Sequence, residues 1–225
     1  MKKTTLIFCS LMMMTLIGYS QTHNSDSTVR VLMFQKDSTL HARIHADSAQ
    51  VKKDFGKKIR IAKLKSTFIY PVFNAGEGSG VIPVKGATEI PDPTLDYKLL
   101  FELEANNPDS VIQEINLGLV EIARIINLHV AAGIPLKKIF PVIVVHSGGL
   151  NVVTTNDYYK EHFKTNNPNI KLIHEMDAIG AKFIACGQAM AYFDFKKEAM
   201  LPEVKVSFTA KTVLSSYMLK GYVRY

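Results

Sequence analysis

Cys186 is the residue of this chain best suited to nucleophilic chemistry. It follows the apolar run 183–185 and precedes Gly187, where the sequence predicts the start of a helix. Backbone N–H groups at a helix N-terminus carry partial positive charge, which favours a thiolate over a thiol. The other cysteine, Cys9, lies in a segment with the features of an export signal. After cleavage of that signal, Cys186 would have no partner for a disulfide within its own chain.

Two loops carry the remaining candidate residues. His146 ends a predicted strand and opens the loop 146–151, while Cys186 opens the other. Ligands collect beyond the carboxyl ends of parallel strands, so the loops share one sheet edge if their strands are neighbours. His146 would then stabilise the thiolate as an imidazolium or hydrogen-bond a ligand. The catalytic candidates are Cys186 and His146, and the candidate ligand-binding residues are Gly148, Gly149, Asn151, Gly187 and Gln188.

Both catalytic candidates also have a structural interpretation. A lone cysteine after a buried strand is most often a small core residue. A histidine at the start of a loop can simply be satisfied by loop backbone groups. The residues alone therefore leave open whether Cys186 is reactive or packed, and whether the chain is an enzyme.

No metal site and no cofactor are predicted from the sequence. His41 and His45 have a spacing compatible with metal binding, but no third ligand lies near them in the sequence. The glycine-rich run 76–80 lacks the Gly-Lys-Ser/Thr ending of a phosphate-binding loop, and Pro83 follows it in place of a helix.

Strand and helix patterns alternate through the second half of the chain. Strands are predicted at 97–103, 140–145, 182–185, 204–208 and 221–225. Helices are predicted at 110–130, 155–163, 170–179, 186–193 and 210–220. This alternation indicates an α/β fold with a mostly parallel sheet flanked by helices. Ser110 is the predicted N-cap of the first of these helices, with Gln113 three residues on, and Gly133 is placed to end it.

The first part of the chain has a different character. Residues 1–20 have a charged start, a short apolar stretch and small residues before Gln21, which predicts a signal peptide cleaved near Ser20 and a periplasmic protein. Residues 21–94 read as an N-terminal extension and a Gly/Pro-rich linker, and residues 95–225 as the α/β domain. Within the extension, the alternation of apolar residues over 29–33 predicts a short strand.

The charge distribution argues against a nucleic-acid partner. The chain has 27 basic and 20 acidic side chains, a formal net charge of +7. The basic residues are spread out rather than forming a stripe interleaved with stacking aromatic residues, and export makes nucleic-acid binding less expected still. After signal cleavage, no membrane partner is expected either.

Short motifs in a fixed order carry a resemblance to a known family. They are Gly80-Val81-Ile82-Pro83-Val84, Tyr97-Lys98-Leu99-Leu100-Phe101, Val144-Val145-His146-Ser147-Gly148 and Phe183-Ile184-Ala185-Cys186-Gly187-Gln188. With these motifs, residues 80–225 resemble the DsrE/DsrF-like family of small sulfur-relay proteins, most of all its exported members with a single cysteine.

The resemblance implies a compact α/β fold, assembly as a homotrimer or homohexamer, and a cysteine that carries sulfane sulfur as a persulfide. By its position in the motif, that role maps to Cys186. An external thiol or a sulfur-acceptor protein would then resolve the persulfide. Relay members work in the cytoplasm, whereas this chain looks exported, and residues 21–79 have no counterpart in the minimal family domain. The alternative is a non-catalytic protein that binds a small ligand or forms an oligomeric assembly, with a structural cysteine.

Overall fold

A computed structural model describes the backbone of residues 4–225 and the side chains of Arg30 and of residues 33–225. The chain divides into two compact units, Met1–Ala62 and Lys63–Tyr225. Within the described residues, none of the helices combines the length and apolar character needed to cross a membrane.

The first unit is helical. Helix α1 (Thr4–Lys65) runs through it without interruption, so the strand predicted at 29–33 is wrong. The apolar alternation there spans only five residues, and residues 19–55 contain neither Gly nor Pro to break a helix. The predicted signal peptide, residues 1–20, lies outside the residues whose side chains the structure describes.

The second unit is built on a five-stranded sheet. Its strands are β1 (Tyr97–Leu103), β2 (Ile139–Val145), β3 (Lys182–Cys186), β4 (Lys205–Ser207) and β5 (Val223–Arg224). They lie in the order β4-β3-β2-β1-β5, and every pair of neighbours is parallel. The predicted parallel α/β fold is confirmed.

Helices cover this sheet at nearly the predicted positions. They are α2 (Leu117–Ala131), α3 (Asn156–Phe163), α4 (Ile170–Ala178), α5 (Gly187–Tyr192) and α6 (Ala210–Leu219). The predicted start of α2 is wrong, because residues 109–111 form only a short 3-10 turn. Asn116 is the N-cap, since its side chain accepts hydrogen bonds from the N–H groups of Gly118 and Leu119. Gly133, at φ 100°, lies just past the end of α2, as predicted.

Alternation along the strands separates two buried clusters. Leu99, Phe101 and Ile143 point to the face covered by α2 and α4. Leu100 and Ile184 point to the opposite face, where they pack with Cys186 and with residues of α6. Successive strand residues face opposite sides, so Cys186 is assigned to the α6 side of the sheet.

A segment that precedes β1 also packs into this unit. Asn127 of α2 is fully buried and accepts hydrogen bonds from the N–H groups of Val72 and Phe73, both at 3.0 Å. Its amide donates to the carbonyls of Phe73 and Ser79 at 2.8 and 2.9 Å. This single side chain therefore fastens the segment 72–79 onto α2, while the domain division at residue 94 stays a prediction.

Replacing Asn127 should therefore destabilise the second unit. Asn127→Ala leaves buried N–H and C=O groups without partners, and we expect a loss of about 3 kcal/mol in the free energy of unfolding. Chemical denaturation followed by circular dichroism measures it. Asn74→Ala is the matched control, because the Asn74 side chain is exposed and accepts only from Gly76 N. Equal stabilities for the two variants would contradict this role of Asn127.

Candidate functional site

The two predicted loops do share one edge of the sheet. β2 and β3 are hydrogen-bonded neighbours, and their register pairs Val145 with Ala185. His146 and Cys186 are the next residues on these two strands. The assumption that the strands are adjacent is thus confirmed, and both candidates lie at the carboxyl edge where parallel sheets place their functional groups.

The sulfur of Cys186 lies where two helices begin. Cys186 is the N-cap residue of α5, and the N–H of Ala210, the first residue of α6, donates to Cys186 Sγ at 3.2 Å. The hydroxyl of Thr209 lies 4.0 Å from the sulfur. The residue is only 5% exposed. The N-terminal N–H groups of both helices thus direct partial positive charge towards one buried sulfur atom.

These contacts lower the pKa of the Cys186 thiol. Burial raises that pKa and is the largest single effect. The backbone N–H groups of Ala189, Ala210 and Gln188 and the Thr209 hydroxyl lower it, and together they outweigh burial. Of the three N–H groups, that of Ala210 is hydrogen-bonded to the sulfur at 3.2 Å, whereas that of Gln188 donates to the carbonyl of Phe208 at 3.1 Å. The net result is a thiol that ionises more readily than an ordinary cysteine.

Gly187 allows this arrangement by its lack of a side chain. A Cβ at this position would lie 2.5 Å from the carbonyl oxygen of Ser207, which belongs to the backbone of β4. The start of α5 can therefore lie against the end of β4 only with glycine at 187. The expected ligand-binding role of Gly187 and Gln188 stays a prediction. Their observed contacts, with the backbone of Ser207 and Phe208, fix the backbone next to the thiol.

The ring of His146 lies beside the side chain of Ser147 and two carboxylates at the end of β1. Its Nδ1 lies 3.1 Å from Ser147 Oγ. Its Nε2 lies 3.4 Å from Glu102 Oε1 and 3.5 Å from Glu104 Oε1. Among the described residues, these are the hydrogen-bond and ion-pair partners of the ring. The expected action of His146 on Cys186 stays a prediction without a direct contact behind it.

The remaining candidate residues pack the loop against β1. A Cβ on Gly149 would lie 2.1 Å from the carbonyl oxygen of Leu103, and the Gly149 N–H donates to the Glu104 carbonyl at 2.9 Å. Asn151 donates to the carbonyl of Gly148 at 3.1 Å. These contacts are structural, and a ligand-binding role for Gly148, Gly149 and Asn151 stays a prediction.

Four residues at this edge were not identified from the sequence: Glu102, Glu104, Thr209 and Ala210. Thr209 lies just before the apolar pattern of α6, a position typical of an N-cap, and this was a usable signal. Glu102 and Glu104 form a Glu-x-Glu pair at the end of a predicted strand. Only the strand order brings that pair to His146.

Comparison with known proteins gives the family of the chain. The sequence model of the DsrE/DsrF-like family matches residues 100–223, more than half of the chain. The chain therefore belongs to the DsrE/DsrF-like family, whose fold is associated with sulfur relay. Both His146 and Cys186 lie within the matched range.

Among the solved structures similar to the chain is that of a protein of unknown function, MTH1491, from Methanobacterium thermoautotrophicum. It is 18% identical, with a TM-score of 0.43, over 58% of this chain and 98% of the other. No curated protein matches the chain.

The thiol environment predicts a pH dependence. Because the Cys186 pKa is lowered, the rate of reaction with a small thiol reagent should level off at lower pH than for a free cysteine. Thr209→Val keeps the side-chain shape but removes the hydroxyl. A hydrogen bond of about 0.5 kcal/mol is then lost, so the variant should react about twofold more slowly at neutral pH and reach its plateau at higher pH.

Thr212→Val is the matched control for this prediction. It removes a hydroxyl from the same turn of α6, where Thr212 Oγ1 bonds to the Thr209 carbonyl rather than to the thiol. We expect its rate profile to follow that of the unmodified protein. Coincident profiles for all three proteins would show that the Thr209 hydroxyl does not affect the thiolate.

Proposed function

We propose that Cys186 accepts sulfane sulfur as a persulfide and passes it to an external thiol. The observation that carries the proposal is the position of Cys186 Sγ, at the start of both α5 and α6, with the Ala210 N–H at 3.2 Å. Membership of a family associated with sulfur relay gives the class of chemistry. The geometry supplies a thiol whose pKa is lowered, as a sulfur nucleophile needs.

Loading is a thiol–disulfide type of exchange. The Cys186 thiolate attacks the terminal sulfur atom of an inorganic polysulfide or of an organic hydropolysulfide, a new S–S bond forms, and the S–S bond that joined this sulfur to the rest of the donor breaks. The electron pair of the broken bond leaves with the remainder of the polysulfide. Cys186 then carries one additional sulfur, and no separate oxidant is consumed.

Unloading follows the same chemistry in reverse order. A thiolate of the acceptor attacks the outer sulfur of the persulfide, and Cys186 leaves as a thiolate. A leaving thiol with a lower pKa leaves faster, so the hydrogen bonds that stabilise the Cys186 thiolate favour this step as well. Those donors would serve loading by increasing the thiolate fraction and unloading by improving the leaving group.

The proposal includes an acceptor and an assembly partner. Large apolar side chains close in sequence to the site are exposed, with Tyr192 at 83%, Phe193 at 50% and Phe208 at 79%. Exposed apolar groups of this kind suit contact with another protein, either further copies of this chain in a homo-oligomer or a sulfur acceptor.

The proposal also includes export of the protein to the periplasm, and the signal-peptide pattern of residues 1–20 supports it. In that compartment, the proposal requires that the resolving thiol come from another molecule, because the mature chain would carry Cys186 as its one cysteine.

A second function is favoured by one observation, the burial of Cys186. The residue packs with Leu100, Ile184 and Leu214 beneath α6, as a structural cysteine would. In that case the protein binds a small ligand or forms an assembly without sulfur chemistry. The Ala210 N–H would then only satisfy a buried sulfur.

Intact mass spectrometry separates these two functions. The mature protein, without residues 1–20, is incubated with a polysulfide donor, and its mass is compared with that of Cys186→Ser. We expect a gain of one sulfur atom in the mature protein, reversed by a reductant, and no gain in Cys186→Ser. A folded native protein that takes up no sulfur, or a Cys186→Ser variant that still does, contradicts the proposal.

A further inference from the structure

We propose that Glu102, Glu104 and His146 bind a divalent transition-metal ion of the Zn²⁺ type at the carboxyl edge of the sheet. The site is separate from the thiol chemistry of Cys186 and does not depend on it. Its ligand atoms come from the ends of two neighbouring strands, β1 and β2. Glu102 and His146 lie in or next to strands paired in register, Glu102 with Val144 and Leu103 with Val145.

His146 Nε2 lies at the spacing of metal ligands from both carboxylates. His146 Nε2 lies 3.4 Å from Glu102 Oε1 and 3.5 Å from Glu104 Oε1, and one ligand atom from each residue lies within 4.8 Å of the others. Ligand atoms bound at about 2.1 Å to one ion are roughly 3 to 3.5 Å apart. A direct charge-assisted N–H···O bond is shorter, at about 2.7–2.9 Å.

Two of these atoms are buried without a hydrogen-bond partner. The Glu102 side chain is 6% exposed and that of His146 is 14% exposed. Neither Glu102 Oε1 nor His146 Nε2 has a hydrogen-bond partner. The two atoms lie 3.4 Å from each other without a hydrogen bond between them. A buried polar atom without a hydrogen bond costs free energy, so both atoms are expected to face a ligand. Bound metal would satisfy both at once.

The surrounding contacts suit metal binding. Ser147 Oγ lies 3.1 Å from His146 Nδ1, so a proton held on Nδ1 leaves the Nε2 lone pair free. Arg224 contacts the other carboxylate oxygen of Glu102 and leaves Oε1 available. With a neutral imidazole, Glu102, Glu104, His146 and Arg224 together carry a net charge of about −1, which favours a divalent cation.

The donor set selects the class of ion. Imidazole nitrogen suits Zn²⁺ and neighbouring transition metals, and carboxylate oxygens also bind Zn²⁺. Mg²⁺ and Ca²⁺ prefer sites made entirely of oxygen. Three protein ligands also leave a coordination position for water or for a small molecule. A protonated His146 paired with both carboxylates is the competing arrangement.

Isothermal titration calorimetry with Zn²⁺ alone tests the site on the full chain. His41 and His45 lie one turn apart on α1, where an exposed pair could hold Zn²⁺ weakly. The background protein is therefore His41→Ala/His45→Ala. We expect it to bind one Zn²⁺ per chain, with Mg²⁺ much weaker. In this background, Glu104→Gln and His146→Ala should each lower the affinity by about tenfold or more.

Two controls complete the test. His174→Ala removes a histidine whose Nε2 pairs with a single carboxylate, Glu203, at 3.1 Å, and Cys186→Ser removes the nearby thiol. Both should bind Zn²⁺ as the background does. Glu104 is 59% exposed, so Glu104→Gln decides the matter if His146→Ala does not fold. Absence of Zn²⁺ binding to the background, unchanged affinity in Glu104→Gln, or loss of binding in Cys186→Ser overturns the proposal.

Discussion

The hydrogen bond from the Ala210 N–H to Cys186 Sγ, at 3.2 Å, is the contact on which the account of this edge depends. It requires that α6 begin directly beside the end of β3, and the pairing of Cys186 with Ser207 in the β3–β4 register provides this. It also requires that α5 begin against β4, and only glycine at 187 fits there. The thiol environment is thus a product of the sheet register.

The same sheet gives the α6 side two separate polar groups at its carboxyl edge. Leu100, Val144 and Ile184 are buried together beneath α6. Because strand residues alternate between faces, the residues two positions further along, Glu102, His146 and Cys186, are assigned to this side too. The apolar cluster anchors each strand, and the residue beyond it carries an ionisable side chain. Cys186 lies beside helix N–H groups, whereas His146 lies beside the carboxylates of Glu102 and Glu104.

The sequence predicted the strands and most helices well because their apolar periodicity reflects burial directly. It also placed Cys186 and His146 at strand ends. It did not identify Asn116 as the cap of α2, since that side chain is fixed by residues outside the helix: Asn116 Nδ2 donates to the Ala105 carbonyl at 3.0 Å and to Asn107 Oδ1 at 3.2 Å. Nor did it pair His146 with Glu102, because such contacts depend on strand order, which local patterns do not encode.

The most direct test of the account is the ionisation of Cys186 itself. Thiolate absorbance in the ultraviolet is recorded against pH for the native protein and for Cys186→Ser. Subtracting the curve of Cys186→Ser from that of the native protein isolates the ionisation of Cys186. We expect a titration whose midpoint lies below that of an ordinary cysteine, because the helix N–H groups outweigh burial. A midpoint at or above the ordinary value would mean that burial prevails, and it would contradict a sulfur-carrying thiolate at this site.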